Sequence, residues 1–165
     1  MRGCLIWQQI RSKLPEVLPK VKLPVHQHAA VIAVNGKVIA KGINHNRSTS
    51  SGKLFSSFHA ERQAVENWKK RNKGKNQRKL KQIARQSDIY IIRKSRKTGG
   101  FCYSSPCKNC TKMLKSFGFR NAIYSVNGGG YKKVNLRKTP VEDVTFHESH
   151  AQKQIEKHIP HWKRS

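Results

Sequence analysis

The sequence predicts an α/β fold: a central sheet with helices packed on it. Two observations carry this. Short apolar runs of strand length alternate with stretches of helical periodicity, and turn signals separate them. The runs are clear even though the 165-residue chain has an apolar share of only 36% and a mean hydropathy of −0.75. A chain of this length suits one domain with one core.

Taken in order, residues 1–24 carry Leu5, Ile6, Ile10 and Leu14 at helical spacing, then Pro15, Pro19 and Pro24. A short helix and a Pro-punctuated lead-in are expected. His28–Val34 reads as a strand, Asn35-Gly36 as a tight hairpin turn, and Lys37–Gly42 as the returning strand. Asn44–Phe58 is polar and Ser-rich and reads as a loop. Helical periodicity begins near His59 and runs through Ala60, Ala64, Val65 and Trp68. Residues 69–85 hold nine Lys or Arg and no acid, which fits an exposed helix extension or a partly mobile insertion. Ile89–Ile92 reads as a strand, Lys97–Gly100 as a turn, and Phe101–Tyr103 as a short return strand. Pro106 is expected to open a helix that Gly118 caps. Ala122–Val126 is the next strand, Gly128–Gly130 a break, Tyr131–Leu136 a candidate last strand, and the chain beyond Pro140 a polar helix or tail. The domain reading is a lead-in over 1–25, the main domain over 26–140 with a basic insertion at 69–87, and the tail over 141–165.

Charge is the largest compositional signal. Thirty-five Lys and Arg stand against eight Asp and Glu, a net charge of +27. Such an imbalance opposes compaction by self-repulsion and favours a polyanionic partner, nucleic acid or phosphorylated substrate. A general Lys bias that keeps the protein soluble is the plainer alternative. Leu5-Ile6-Trp7 is too short for a secretory signal core, and no stretch nears the roughly 20 apolar residues of a membrane span. The expectation is an intracellular protein, cytoplasmic or nuclear, with no membrane partner. The chain has four Cys, Cys4, Cys102, Cys107 and Cys110, and in a reducing compartment closely spaced Cys are more apt to bind metal than to form disulfides.

Two short motifs carry chemistry. Phe58-His59-Ala60-Glu61 and Pro106-Cys107-Lys108-Asn109-Cys110 each fall at an expected helix start after a loop. Separately each is weak; C-x-x-C alone is as consistent with redox chemistry as with metal. Cys107 and Cys110 are three apart, so both thiols face one side of a first helical turn, where the helix end favours thiolate. With His59 they supply three ligands, the pattern of a catalytic zinc site that keeps a position for water. Zinc lowers that water's pKa towards 7. Glu61, two residues from His59, is placed to move protons rather than to ligate. A structural zinc knuckle usually closes with four ligands. Cys4 and Cys102 are the candidates for a fourth, and free thiols in apolar settings are the alternative for both.

The pair H-x-E with P-C-x-x-C resembles the zinc nucleobase deaminases, in particular the CMP/dCMP-type branch. The likeness covers roughly residues 26–137. It includes the strand pair, Gly42-x-Asn44, His59-Ala60-Glu61, Pro106–Cys110 and Leu114–Ser125. It implies a three-layer α-β-α sandwich with a central mixed sheet of about five strands. It also implies one Zn²⁺ per chain on His59, Cys107 and Cys110, with Glu61 as the catalytic acid/base. Asn44 and backbone groups of Ala60 would contact sugar or base; alone, Asn44 also reads as a turn residue. Phe58 and Tyr103 are candidates for base stacking or for core packing. Lys69, Lys70, Arg71, Lys73 and Lys75 are candidates for phosphate contacts or for a solvated helix face. The span from His59 to Cys107 is longer than in compact tRNA adenosine deaminases. Tyr103-Ser104-Ser105-Pro106 is faintly similar to the approach in polynucleotide cytidine deaminases.

The function expected is hydrolytic deamination of cytosine to uracil in a nucleotide, with release of ammonia. The alternatives are deamination of cytosine or adenine within single-stranded DNA or RNA, and a non-catalytic basic nucleic-acid-binding zinc domain. A redox role for the two cysteines is more remote. The expected partner is a cytosine-containing nucleotide or a single-stranded nucleic acid. Homo-oligomers are common among such relatives. The tail histidines His147, His150, His158 and His161 lack nearby Cys and make a poor second zinc site. His26, His28 and His45 read as satisfied or solvated side chains near the hairpin ends.

Overall fold

The computed structural model describes residues 26–44, 49–50, 53–54, 59–95 and 97–144. The helix expected near the N-terminus, Cys4, His45, Phe58 and the tail histidines lie outside the described residues.

Asn35 and Gly36 adopt φ of 48° and 87°, the pair of positive angles that a two-residue hairpin turn demands. They join β1 (His26–Val34) to β2 (Lys37–Ile43) as an antiparallel pair. β3 (Thr49–Ser50) and β4 (Lys53–Leu54) form a separate small ribbon inside the segment read as loop. Helix α1 (Ala60–Arg71) follows, then a turn, then α2 (Gln77–Gln86). The basic stretch therefore extends α1 as far as Arg71, turns, and continues as a second helix. Gly74 (φ 94°) breaks the run, and the Asn76 side chain accepts from the Lys79 N–H at 2.9 Å to restart it.

β5 (Ser87–Ser95) and β6 (Phe101–Cys102) pair antiparallel. Helix α3 (Lys108–Phe117) begins two residues after Pro106, with Cys107 as its N-cap. The helix does not open on the proline because the Cys107 backbone is still extended. Gly118 ends α3 in the left-handed conformation, φ 83°, as expected. β7 (Asn121–Ser125), β8 (Tyr131–Asn135) and the short α4 (Val141–Val144) complete the described chain.

The strands build one mixed six-stranded sheet in the order β2-β1-β5-β7-β8, with β6 on the β7 side of β5. Only β5 and β7 run parallel. Alternation sorts the central strands. Ala30, Ile32, Ile89, Ile91, Ala122 and Tyr124 join the buried faces of the helices in the main core. Val31, Ala33, Tyr90, Ile92 and Ile123 form a second buried cluster on the opposite face. A mixed sheet buried on both faces is the α/β sandwich expected. Trp68 anchors the main core, fully buried and edge-on to Phe117 and Phe119 at centroid distances of 5.8 and 5.3 Å. Such aromatic pairs add about 0.5–1.5 kcal/mol each beyond area burial.

Helix α1 lies along β2, the edge strand. Its Asn67 Nδ2 donates to the Lys41 carbonyl at 2.8 Å, and Arg71 Nη1 donates to the Ile39 carbonyl at 2.7 Å. These bonds occupy edge carbonyls that otherwise invite another strand. They also fix the direction of α1. Its N-terminus lies beside Gly42 and its C-terminus beside the β1–β2 turn.

Candidate metal centre and active site

Two helix N-termini meet at one end of the sheet. His59 is the N-cap of α1 with extended backbone (φ −67°, ψ 148°), and its side chain makes no cap hydrogen bond. The ring turns instead to α3. Its Nδ1 lies 3.4 Å from Cys107 Sγ and 3.4 Å from Cys110 Sγ. Cys107 caps α3 through its own thiol, which accepts from the Cys110 N–H at 3.5 Å. The three ligand atoms lie within 4.8 Å of one another, the one such group of three or more His, Cys, Asp or Glu among the described residues.

These separations suit zinc. Zn–N of about 2.0–2.1 Å and Zn–S of about 2.3 Å at tetrahedral angles place nitrogen and sulfur about 3.6 Å apart. Neither Glu61 nor Cys102 joins the group. Cys102 is on β6, its Sγ on the Gly100 carbonyl at 3.9 Å. Three ligands of this kind make an open site.

The electrostatics of the protein groups point the same way. The Cys107 thiol is lowered to about 4, first by the hydrogen bond with the Cys110 side chain and further by the His59 ring, with burial opposing. His59 is raised to about 9, chiefly by its hydrogen bond to Cys107 and also by the Glu61 charge, against the effect of burial. Cys110 is pushed up by its bond to Cys107 and by burial. The pocket thus holds a thiolate beside protons that a metal cation displaces on binding. Glu61, in the first turn of α1, is 4% exposed, and burial raises its carboxyl while the His59 charge lowers it.

The approach to Cys107 is held by two buried serines, Ser104 and Ser125, whose pairing the sequence reading did not foresee. The Ser104 hydroxyl donates to the Ile91 carbonyl at 2.9 Å and accepts from the Ser125 N–H at 3.0 Å. The Ser125 hydroxyl donates to the Cys102 carbonyl at 2.6 Å and accepts from the Arg93 N–H at 3.2 Å. This network ties β5, β6 and β7 together just before Pro106. The available signal was Ser125 itself, a polar residue ending an apolar strand.

The other candidates separate into two regions. Asn44 and Ala60 are at the metal end. Asn44 Oδ1 accepts from the His28 N–H at 3.0 Å, and its own N–H donates to the His28 carbonyl at 3.1 Å, pinning the exit of β2 to β1. Ala60 is fully buried, with its carbonyl turned towards Gly42. Tyr103 packs edge-on against Tyr124 at 5.6 Å. Lys69, Lys70, Arg71, Lys73 and Lys75 are all exposed at the other end of α1 and in the turn after it. The twelve residues of α1 span about 18 Å, so these cations lie well away from His59.

A mixed sheet with His, Cys and Cys gathered at two helix starts beside a buried Glu offers the donor set of a deaminase-type metal site. The chain belongs to the cytidine and deoxycytidylate deaminase zinc-binding region family, which it matches over residues 13–126. The match begins within the segment read as lead-in. Two solved structures are similar to it, both of dCMP deaminase from the cyanophage S-TIM5. The apo form is 22% identical over 61% of this chain and 67% of that one, with a TM-score of 0.38. The complex with dCMP and dUMP is 18% identical over 74% and 79%, with a TM-score of 0.41. No curated protein matches the chain.

Proposed function

We propose that the protein is a zinc-dependent hydrolase that converts the cytosine of a free nucleotide to uracil and releases ammonia, with one zinc per chain. The carrying observation is the convergence of His59 Nδ1 and the Cys107 and Cys110 thiols beside the buried Glu61. When bound there, zinc supplies a Lewis acid that makes water a nucleophile near neutral pH.

The Glu61 carboxylate takes a proton from the attacking water and delivers protons to the ring nitrogen and to the departing amine. Water supplies the new C4 oxygen, the C4–N bond breaks, and ammonia leaves. Asn44, held by its bonds to His28, and the backbone of Ala60 position the base and sugar. The net charge of +27 favours a second reading, in which the same chemistry acts on cytosine or adenine in single-stranded DNA or RNA.

The test is ammonia release by zinc-loaded protein on dCMP, CMP, single-stranded DNA and single-stranded RNA at two salt concentrations. Release from dCMP or CMP is expected. Release only from the strands, falling with salt, replaces the substrate assignment by the second reading. No release from any substrate overturns the enzyme assignment. Cys110→Ala is expected to lower zinc content at equal free zinc, weakening affinity beyond the roughly 10–100-fold that loss of an outer-shell partner causes. Unchanged zinc content by elemental analysis would refute the ligand set.

A further inference from the structure

The basic segment 69–86 forms a surface remote from the metal end. α1 carries it away from His59. α2 then crosses to the start of β5, where the Arg120 N–H donates to the Ser87 carbonyl at 3.0 Å. There Arg85 passes beside Gly118 at the C-terminal end of α3, and Arg137 Nη2 donates to the Arg85 carbonyl at 2.6 Å. The starts of β5 and β7 are at this pole, whereas the site lies by their ends.

All nine cations of the segment are exposed: Lys69, Lys70 and Arg71 on α1, Lys73 and Lys75 in the turn, and Arg78, Lys79, Lys81 and Arg85 on α2. No acid lies within the segment. The neighbouring Asp88 is engaged by Arg120 at 2.8 and 2.9 Å and by Asn121 at 2.7 Å. Three of the cations, Lys75, Arg78 and Lys79, crowd the N-terminal end of α2, whose first turn has no acid. Cations at that end oppose the helix dipole. The arrangement works against folding unless an anion offsets it. Two clefts of about 420 and 550 Å³ flank the Arg78–Gln82 ridge of α2, lined largely by Lys, Arg, Gln and Asn.

From this we infer a second binding surface, a dock for the phosphate backbone of duplex nucleic acid, read without base contacts and separate from the deaminase site. The chemistry excludes other partners. Of the apolar side chains of α2, Leu80 and Ala84 are buried in the core and Ile83 packs partly buried against it, so α2 has no free apolar face to insert into a lipid surface. Among the described residues the exposed large apolar side chains are Val38 and Tyr131, neither in this segment. Without an aromatic platform, single strands gain no stacking there. A regular lattice of phosphates matches rows of Lys and Arg on its own. The surface retains the enzyme on nucleic acid and does not feed a base to the metal end. It holds whichever base the site deaminates.

The test is the triple variant Arg78→Glu/Lys79→Glu/Lys81→Glu in the zinc-loaded 165-residue chain, probed by fluorescence anisotropy. The probes are a short DNA duplex, the matching RNA duplex, a single strand, and vesicles of phosphatidylserine and phosphatidylcholine. Two of the new glutamates fall in the first turn of α2, where negative charge favours the helix, so the variant retains its fold. Wild-type protein is expected to bind a duplex with a log–log salt slope of about −0.9 per phosphate contact. The variant is expected to bind more than about tenfold more weakly, with a slope shallower by about 2–3 and unaltered zinc content. The stronger duplex identifies the natural backbone as DNA or RNA. Equal binding by variant and wild type, no duplex binding by wild type, or preference for the single strand or the vesicles would each overturn the inference.

Discussion

Glu61→Gln is expected to lower ammonia release by at least about 10³-fold while leaving zinc content and thermal stability unchanged. The side chain keeps its shape and loses its ability to exchange protons. General acid–base catalysis of this kind contributes roughly 10²–10⁴-fold, and in the proposed mechanism one carboxylate serves both the attacking water and the departing amine. Zinc is expected to stay because the group that could hold it consists of His59, Cys107 and Cys110, without Glu61. Stability holds because burial already penalises the charged form of Glu61, so an isosteric amide removes a desolvated carboxylate. The comparison is made by steady-state turnover, elemental zinc analysis and thermal melting on the same preparation. Loss of zinc together with activity would make Glu61 a ligand. Activity within a few-fold of wild type would remove it from the mechanism.

The candidate site was legible because its chemistry is local in sequence. His59 and Glu61 share one helix start, Cys107 and Cys110 another, and the rules that favour thiolates at N-termini apply before any tertiary contact forms. The central strands were legible for the same reason: Ile89–Ile92 and Ala122–Tyr124 are apolar on both faces. What escaped depends on contacts distant in sequence. The Ser104–Ser125 pair joins residues 21 apart and carries no periodic signal. The division of residues 60–86 into two helices rests on the backbone freedom of Gly74 and the Asn76 cap, both hidden inside a run of lysines. The run of cations over 69–85 suggested where along the chain a polyanion would bind but not where on the fold. Only the course of α1 along β2 puts the cations at the pole opposite the metal ligands.

Gly42→Ala is expected to be the most damaging single-methyl change in the described chain. Gly42 is buried on β2, directly under the first turns of α1. A Cβ there would run into the Ala60 carbonyl oxygen and the Ala64 amide nitrogen, both backbone atoms of the helix, and would crowd the Gln63 carbonyl carbon at 2.9 Å. No rotamer relieves such a contact, so the helix itself must lift. Ala60 and Ala64, both fully buried, show how close the approach is. Overpacking typically costs 1–3 kcal/mol, and a clash against helix backbone belongs at or above about 3 kcal/mol. For a domain of this size that is a fall in Tm of roughly 6–12 °C. Function should fall further than stability. His59 immediately precedes Ala60, so lifting α1 draws Nδ1 away from the two thiols that α3 holds in place. Zinc affinity and turnover are therefore expected to drop even below the melting transition. Gly100→Ala is the control, because its added Cβ meets nothing nearer than Thr98 Oγ1 at 3.5 Å. It should shift stability by no more than about 0.5 kcal/mol. If Gly42→Ala melts with wild type and keeps its zinc, the close seating of α1 on β2 is not what sets the ligand geometry.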